Sequence, residues 1–441
     1  MKRYISYFKN LKLHLVFFFL FLFLLPVQSR ALYHPESAYI GWYFNYHLAF
    51  FFYLTDILWI LCLVTWLGFD PQFRSFFYPR FVLFWLILAF IIWVVISLFH
   101  VERIGLSVYQ ILKWIEFWGI AIYIWLVFKK QAYFIWSAAV IFGSAFLESV
   151  IGIWQFHVQH MVGLNWLGEY ISPLGTPGLA TIDTLSGKLI RAYGTFPHPN
   201  VFGAFLVFGL FMALYFSLKP LNLFNRALVA CGTIIILVGI FVSFSRVAWL
   251  AGILALLGFM AYSVYKKDWI NANLLCVIGV VSCATIGIFY PGLVQTRTFD
   301  SNPTSINDRT FFNHLGLELI VKHPVLGAGV GNYVPALEKI VKLEDWQYQP
   351  PHNIFIMLGA ELGMVGLLIF FWILIEIFRR LKGHLSRPLV FSLSFLALTF
   401  LLMGQVDHYF VTIQQGRLMF AVVLGLLGAL PNIYEPDQKN I

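Results

Sequence analysis

Apolar runs of about twenty residues recur along almost the whole chain, and each is long enough to cross the hydrocarbon of a bilayer as a helix. They are expected near 13–32, 47–68, 81–99, 109–128, 133–157, 199–217, 227–243, 247–265, 270–290, 353–378, 388–405 and 417–431. The run from Ala227 to Tyr265 is about two spans long, and Ser243-Phe244-Ser245-Arg246 divides it. A chain of 441 residues that is 60% hydrophobic and only 11% charged cannot hide its apolar surface in the cores of soluble domains of that size. The predicted fold class is therefore an all-α integral membrane protein of about twelve transmembrane helices. A large, partly helical extracytoplasmic loop precedes the tenth span.

Charge supplies the orientation. The formal charge of +9 is spread in small groups between the apolar runs, which argues for topology signals and against nucleic acid as a partner. One set of loops holds Lys2, Arg3, Lys9 and Lys12, then Arg74 and Arg80, Lys129 and Lys130, Lys219 and Arg226, Lys266 and Lys267, and Arg379, Arg380, Lys382 and Arg387. These loops are read as cytoplasmic, with both termini on the same side. The opposite set is poorer in cations although it contains the two longest loops, His157 to Pro199 and Pro291 to Pro351. The chain thus divides into a five-span region (1–157), a first long outer loop (158–198), and a second membrane region (199–441) that includes outer loop 291–352. In that loop Asn307 or Asp308 is expected to cap a helix with Phe312, Leu315 and Leu319 on one face, ended by His323-Pro324, lying on the membrane surface as a lid.

The first apolar run, Leu13 to Leu25 after four cations, reads as an anchor rather than a cleaved signal, because Val27-Gln28-Ser29 is a weak cleavage site. Cys62, Cys231, Cys276 and Cys283 all fall inside apolar runs without metal-ligand spacing and read as membrane packing. Lys113 and Glu116, one helical turn apart, read as a mutually neutralising structural pair.

Polar residues collect at helix ends on the outer side: Arg191, His198 and Asn200 before the sixth span; Ser245 and Arg246 at the turn between two spans; Arg309 in the lid; His352 and Asn353 opening the tenth span; and Asp407, His408, Gln415 and Arg417 in the last outer loop. Arginines at helix ends commonly snorkel to headgroups. Arg246, however, sits in a turn of a few residues on the side where cations are disfavoured, and needs an anionic partner there. Guanidinium groups clamp phosphate oxygens with paired hydrogen bonds, so Arg191, Arg246 and Arg309 together suit a lipid-linked diphosphate. His352 follows Pro350-Pro351 at the membrane edge, where a neutral imidazole accepts a proton from a hydroxyl.

Absences narrow the chemistry. No paired carboxylates in an outer loop stand ready for a divalent ion, so no metal is expected; Glu344-Asp345 reads as a solvated face. No phosphate-binding Gly-Lys loop is present, so no ATP or other cofactor is expected; Gly327-x-Gly-x-Gly331 reads as a flexible turn. Gly359, Gly363 and Gly366 read as close helix packing.

With these residues in hand, the sequence resembles the O-antigen ligase and O-antigen polymerase superfamily of bacterial lipid-linked glycan transferases. The resemblance runs from Arg191 onward, over roughly the C-terminal three-fifths. Its most specific element is His352-Asn353 with Gly363 and Gly366 behind it. It is joined by the segment Arg191 to Asn200, by Ser243 to Arg246, and by His323 to Gly329. The resemblance implies transfer of a glycan from undecaprenyl diphosphate to an acceptor hydroxyl, with inversion, in the bacterial inner membrane and facing the periplasm or cell exterior. It implies that Arg191 and Arg246 hold the diphosphate and that His352 activates the acceptor, making these three the expected catalytic residues. Arg309, His198, Asn200, Asn353, Ser245, Asp407 and His408 are expected to bind substrate. One departure concerns Arg309: the ligase pattern has leucine four residues on, where this chain has Asn313.

A ligase would use the lipid A core as acceptor, and a polymerase another lipid-linked repeat; the histidine-glycine spacing favours the ligase. The competing class is a transporter or flippase of lipid-linked sugars, in which intramembrane acids such as Asp56 or Glu148 would couple to ions.

Overall fold

The computed structural model describes residues 12–70, 82–171, 173–174, 176, 178–184, 187–298 and 303–434. Of the expected cytoplasmic cations, Lys2, Arg3, Lys9, Arg74 and Arg80 lie outside the described residues.

In chain order the elements are α1 (Leu13–Phe23), β1 (Arg30–Tyr33), β2 (Tyr39–Ile40), β3 (Tyr43–Phe44), β4 (Phe50–Tyr53), α2 (Leu54–Phe69), α3 (Val82–Ile96), α4 (Ile104–Val127) and α5 (Gln131–Val158). After β5 (Thr181–Thr184) and β6 (Gly187–Ile190) come α6 (Pro199–Ser217), α7 (Leu223–Val242), α8 (Arg246–Tyr265) and α9 (Trp269–Phe289). The chain ends with α10 (Leu293–Thr298), α11 (Pro303–Lys322), α12 (Tyr333–Ile340), α13 (Ile354–Arg379), α14 (Pro388–Met403), α15 (Tyr409–Thr412), α16 (Gln414–Ala429) and α17 (Pro431–Tyr434). Among the described residues nine helices are long and apolar enough to cross a membrane, and α1, α2 and α14 are shorter apolar helices.

Two expected spans are shorter than their apolar runs. The first run ends as helix at Phe23, three residues before Pro26, and Arg30 to Tyr33 instead pair antiparallel with Phe50 to Tyr53, in register Arg30 with Tyr53 and Tyr33 with Phe50. Proline offers no amide hydrogen and disfavours helix before it, while the aromatic run suits a strand. The second helix therefore begins at Leu54, where the Asp56 carboxylate accepts the Tyr53 amide at 2.9 Å. The protein is mostly helical, as expected, and the connecting segments add three short two-stranded antiparallel pairs, β1–β4, β2–β3 and β5–β6.

The bundle is centred on α6 and α16, whose apolar windows are 89% and 78% buried, against 22% for peripheral α9. Small residues let the helices approach: a Cβ at Gly425 would lie 2.9 Å from the Ala121 Cα. Of the cysteines, Cys62 is buried, whereas Cys231, Cys276 and Cys283 are exposed on the outer sides of their helices and do not pack inside the protein. The Lys113–Glu116 pair belongs to a larger group. The Lys113 ammonium bonds Asp56 at 2.7 Å and Glu116 at 3.2 Å, and the Gln414 amide donates to both carboxylates. Buried charges persist where partners of this kind satisfy them.

At the loop-rich end, Phe312, Leu315 and Leu319 of α11 are buried as the helical spacing predicts. The helix begins at Pro303, so Asn307 and Asp308 lie within its first turns and do not cap it. Gly363 is more than a packing residue: its φ of +66° breaks α13, and a Cβ there would collide with the Val325 carbonyl. The Gly327 to Gly331 turn is likewise not a loose one, since a Cβ at Gly331 would meet the Gln110 side chain at 2.6 Å. Glu344 is exposed, as a solvated face requires, while Asp345 is half-buried and accepts the Trp42 amide at 3.3 Å.

Candidate active site

Three helices begin at the same end of the bundle. His198 caps α6, its Nδ1 accepting the Asn200 amide at 3.1 Å, with Pro199 at the first helical position. Ser245 caps α8 through the Ala248 amide, after Phe244 turns the chain with φ +48°. Asn353 caps α13, its Oδ1 accepting the amides of Phe355 at 2.8 Å and Ile356 at 3.2 Å. Helix N-termini carry partial positive charge and unsatisfied amides, which favours an anion beside them.

A cavity of about 290 Å³ opens among these ends, lined by Arg191, His198, Asn200, Ser245, Arg246, Arg309, Phe312 and His352. Arg191 is 7% exposed and is fixed by two bonds, from Nε to the Ser243 carbonyl and from Nη2 to Asn200 Oδ1, each 2.8 Å. The same Asn200 donates through Nδ2 to Asp407 at 2.8 Å. Asp407 also accepts the His408 amide at 2.9 Å, and its Oδ1 lies 3.7 Å from His352 Nδ1, too long for a hydrogen bond but close enough for strong electrostatic coupling. His408 Nδ1 pairs with the Thr412 hydroxyl at 2.6 Å. Ring contacts run from Phe312 to His352, from His352 to His408 and from His408 to His47.

Burial and neighbours set the charges. Burial, followed by the Arg191 charge, pushes the His198 imidazole down to about 3. Burial likewise lowers His408 to about 4, against the pull of Asp407. Burial opposes ionisation of Asp407, but the contact with His352 and the charges of His408 and His198 outweigh it and hold the carboxyl well below its ordinary value. The site therefore combines cations on one wall with a carboxylate-backed histidine.

Of the ten residues expected to act in catalysis or substrate binding, seven line this cavity, and Asp407 and His408 stand directly behind His352. Asn353 is committed to its cap and to Gln405, whose carbonyl and side chain it reaches at 3.2 and 3.1 Å. Arg417 points elsewhere, to Gln110 and the Val411 carbonyl, in a separate small polar chamber. Gln415 is fully buried, and among the described residues neither of its amide atoms has a hydrogen-bond partner. His352, Asp407 and His408 also bring one potential metal ligand each within 4.8 Å of one another, a set that no sequence spacing announces.

The sequence reading missed what holds Arg191 in place. Glu148 on α5 accepts both the amide of Thr195 at 3.0 Å and its hydroxyl at 2.8 Å. Two turns on, Gln155 accepts the Gly194 amide at 2.7 Å, donates back to the Gly194 carbonyl at 2.9 Å, and donates to Glu169 at 2.7 Å. The segment carrying Arg191 and His198 is thereby clamped to the N-terminal half. Polar residues seven apart on an apolar helix were the available signal.

These features define a multi-pass helical membrane protein with a cationic, histidine-bearing cavity at one end of its bundle. Residues 231–371, about one third of the chain, match the family model described as O-Antigen ligase. The matched stretch holds Arg246, Arg309, His352 and Gly363; Arg191, His198, Asn200, Asp407 and His408 lie beyond it. No curated protein matches the chain.

Proposed function

We propose that the protein is an inverting membrane glycosyltransferase that moves a glycan from undecaprenyl diphosphate to an acceptor hydroxyl, with the lipid A core as acceptor. The observation that carries this reading is the meeting of Arg191, Arg246, Arg309 and His352 on one cavity.

In this reaction the acceptor oxygen forms its bond to the anomeric carbon as the bond from that carbon to the diphosphate oxygen breaks. The departing electron pair comes to rest on the diphosphate. Three guanidinium groups and the N-termini of α6 and α8 stabilise that growing charge more in the transition state than in the ground state, which is what accelerates a displacement. The hydroxyl proton passes to His352, and the Asp407 carboxylate stabilises the imidazolium so formed. Asn200 joins the two halves of the machine, since its amide holds Arg191 on one side and Asp407 on the other.

Orientation is read from charge. Lys129, Lys130, Lys219, Arg226, Lys266, Lys267, Arg379 and Arg380 stand in loops or helix ends opposite the cavity, the pattern of a cytoplasmic face, so the cavity opens towards the periplasm or cell exterior of a bacterial inner membrane. Counting α1, α2 and α14, the described residues carry twelve spans, and an even number of crossings leaves the first and the last of them opening on the same, cytoplasmic side. The transporter reading loses support because Asp56 and Glu148, the acids it would use for ion coupling, are engaged in internal ties to Lys113 and Thr195.

The test is reconstitution of the purified protein with an undecaprenyl-diphosphate glycan and rough lipopolysaccharide, with and without chelator. Transfer that survives chelation is expected. No product from this pair would sink the ligase reading, and loss of activity on chelation would assign a metal to His352, Asp407 and His408. In a strain lacking the gene, full-length glycan should accumulate on the carrier with the core uncapped; caps of a single repeat would make the enzyme a polymerase.

A further inference from the structure

A cavity larger than the one at the arginines lies elsewhere in the bundle. It is a cleft of about 890 Å³ between α2 and α4, beneath the β1–β4 hairpin. Ile60, Leu63, Leu112 and Ile115 make its sides, and at its deep end Trp59 closes on Gly119, where a Cβ would lie 3.3 Å from the indole. Its lining on α4 runs from Gly105 to Gly119, about 20 Å along the helix axis at 1.5 Å per residue. A tall, narrow, apolar space parallel to the helices has the shape of an extended hydrocarbon chain, and its volume falls within the range of ligand sites.

Bulk lipid would fill any such gap in a bilayer; what sets this one apart is where its upper end leads. Phe51 and Tyr109 are walls of both the cleft and the small polar chamber that contains His47 and Arg417. The His47 ring lies 5.5 Å from that of His408, which lies 5.4 Å from that of His352. A line of ring contacts through His47 and His408 thus joins the chamber that borders the cleft to His352, on elements other than those that carry the arginines. In a displacement the incoming hydroxyl and the leaving diphosphate must stand on opposite faces of the reacting carbon, so the two substrates need separate approaches to one site.

We infer that the α2–α4 cleft holds a hydrocarbon chain of a lipid-anchored acceptor, leaving its glycan to reach His352 over the His47 chamber. This rests on the transferase reading above, and it assigns the N-terminal spans a part in acceptor binding.

The experiment narrows the cleft at two membrane-facing positions, Leu112→Trp and Ile60→Trp, in protein reconstituted into nanodiscs. Transfer is followed with rough lipopolysaccharide and with its delipidated core oligosaccharide. The expected result is a KM for rough lipopolysaccharide raised about tenfold, with the KM for the delipidated core and for the donor changed less than about twofold. A raised donor KM would place the carrier's chain in the cleft, and an unmoved KM for both lipids would leave it to bulk lipid; either overturns the inference. A benzophenone amino acid in place of Ile60 reads occupancy without turnover: crosslinks to rough lipopolysaccharide are expected, and crosslinks to phospholipid alone count against it. The unsubstituted protein serves as the separate control, because no transfer from donor to rough lipopolysaccharide by it would defeat the transferase reading itself and not merely the cleft.

Discussion

His352 Nδ1 stands 3.7 Å from Asp407 Oδ1, and that carboxylate is held from the other side by the Asn200 amide. A carboxylate so placed favours the protonated imidazole that general-base catalysis produces, while Asn200 keeps it aimed. His352→Ala is expected to lower kcat by about 10²- to 10⁴-fold, the usual contribution of a positioned base. Asp407→Asn should cost less, since it removes the charge and spares the shape. Equal KM increases with kcat unchanged in both variants would show that the pair binds substrate and does not act in the chemical step.

Arg246 opens α8 on the cavity wall, where in the proposed reaction a planar fork and a helix N-terminus would act on the same anion. Arg246→Ala is expected to lower kcat/KM by about 10²- to 10³-fold, a loss comparable to removing one donor from a preorganised oxyanion site. Arg246→Lys should recover little of it, because a point charge cannot reproduce two directed bonds. Full recovery with lysine would reduce the residue to a general cation.

Glu148 receives two donors from Thr195, so Glu148→Gln puts an amide donor where one of them points. An unmet buried group costs about 1–3 kcal/mol, felt by the segment that carries Arg191. The measurement is the KM for the lipid-linked donor, expected to rise about tenfold with the acceptor KM unmoved. A variant that melts early and loses affinity for both substrates alike would indicate general destabilisation instead.

Acid should loosen the site. His198 and His408 titrate at about 3 and about 4 in the folded protein, below the 6.5 of the unfolded side chain. Between those values the unfolded state binds more protons, so their stabilisation is complete above pH 6.5 and is lost as pH falls towards 4. Asp407, depressed in its turn, adds a loss below the ordinary carboxylate range. Thermal melts in detergent should therefore fall steadily on acidification through this window, and His408→Gln should flatten the dependence. A melting temperature that rose on acidification would contradict these assignments.

Much of the architecture can be read in one dimension because lipid leaves a spanning backbone few choices: each long apolar run must satisfy its own hydrogen bonds, and does so as a helix. Where the runs met Pro26 or the aromatic stretch Phe50 to Tyr53, local chemistry favoured a strand, and hydrophobicity alone could not reveal it. Arg191, Arg246, Arg309 and His352 stood out in the sequence because a charge at a membrane edge needs a reason.

What the sequence by itself determined is the helical membrane fold and the placing of a few arginines and a histidine at helix ends. Only the tertiary structure decided that residues from 191 to 408 line or back one cavity, that Asn200 bridges Arg191 to Asp407, and that Glu148 on the preceding helix anchors the segment bearing the first arginine. The reason is physical: hydropathy acts residue by residue along the chain, whereas hydrogen-bond pairing across hundreds of residues depends on how helices pack, and packing among similarly apolar helices leaves almost no trace in composition.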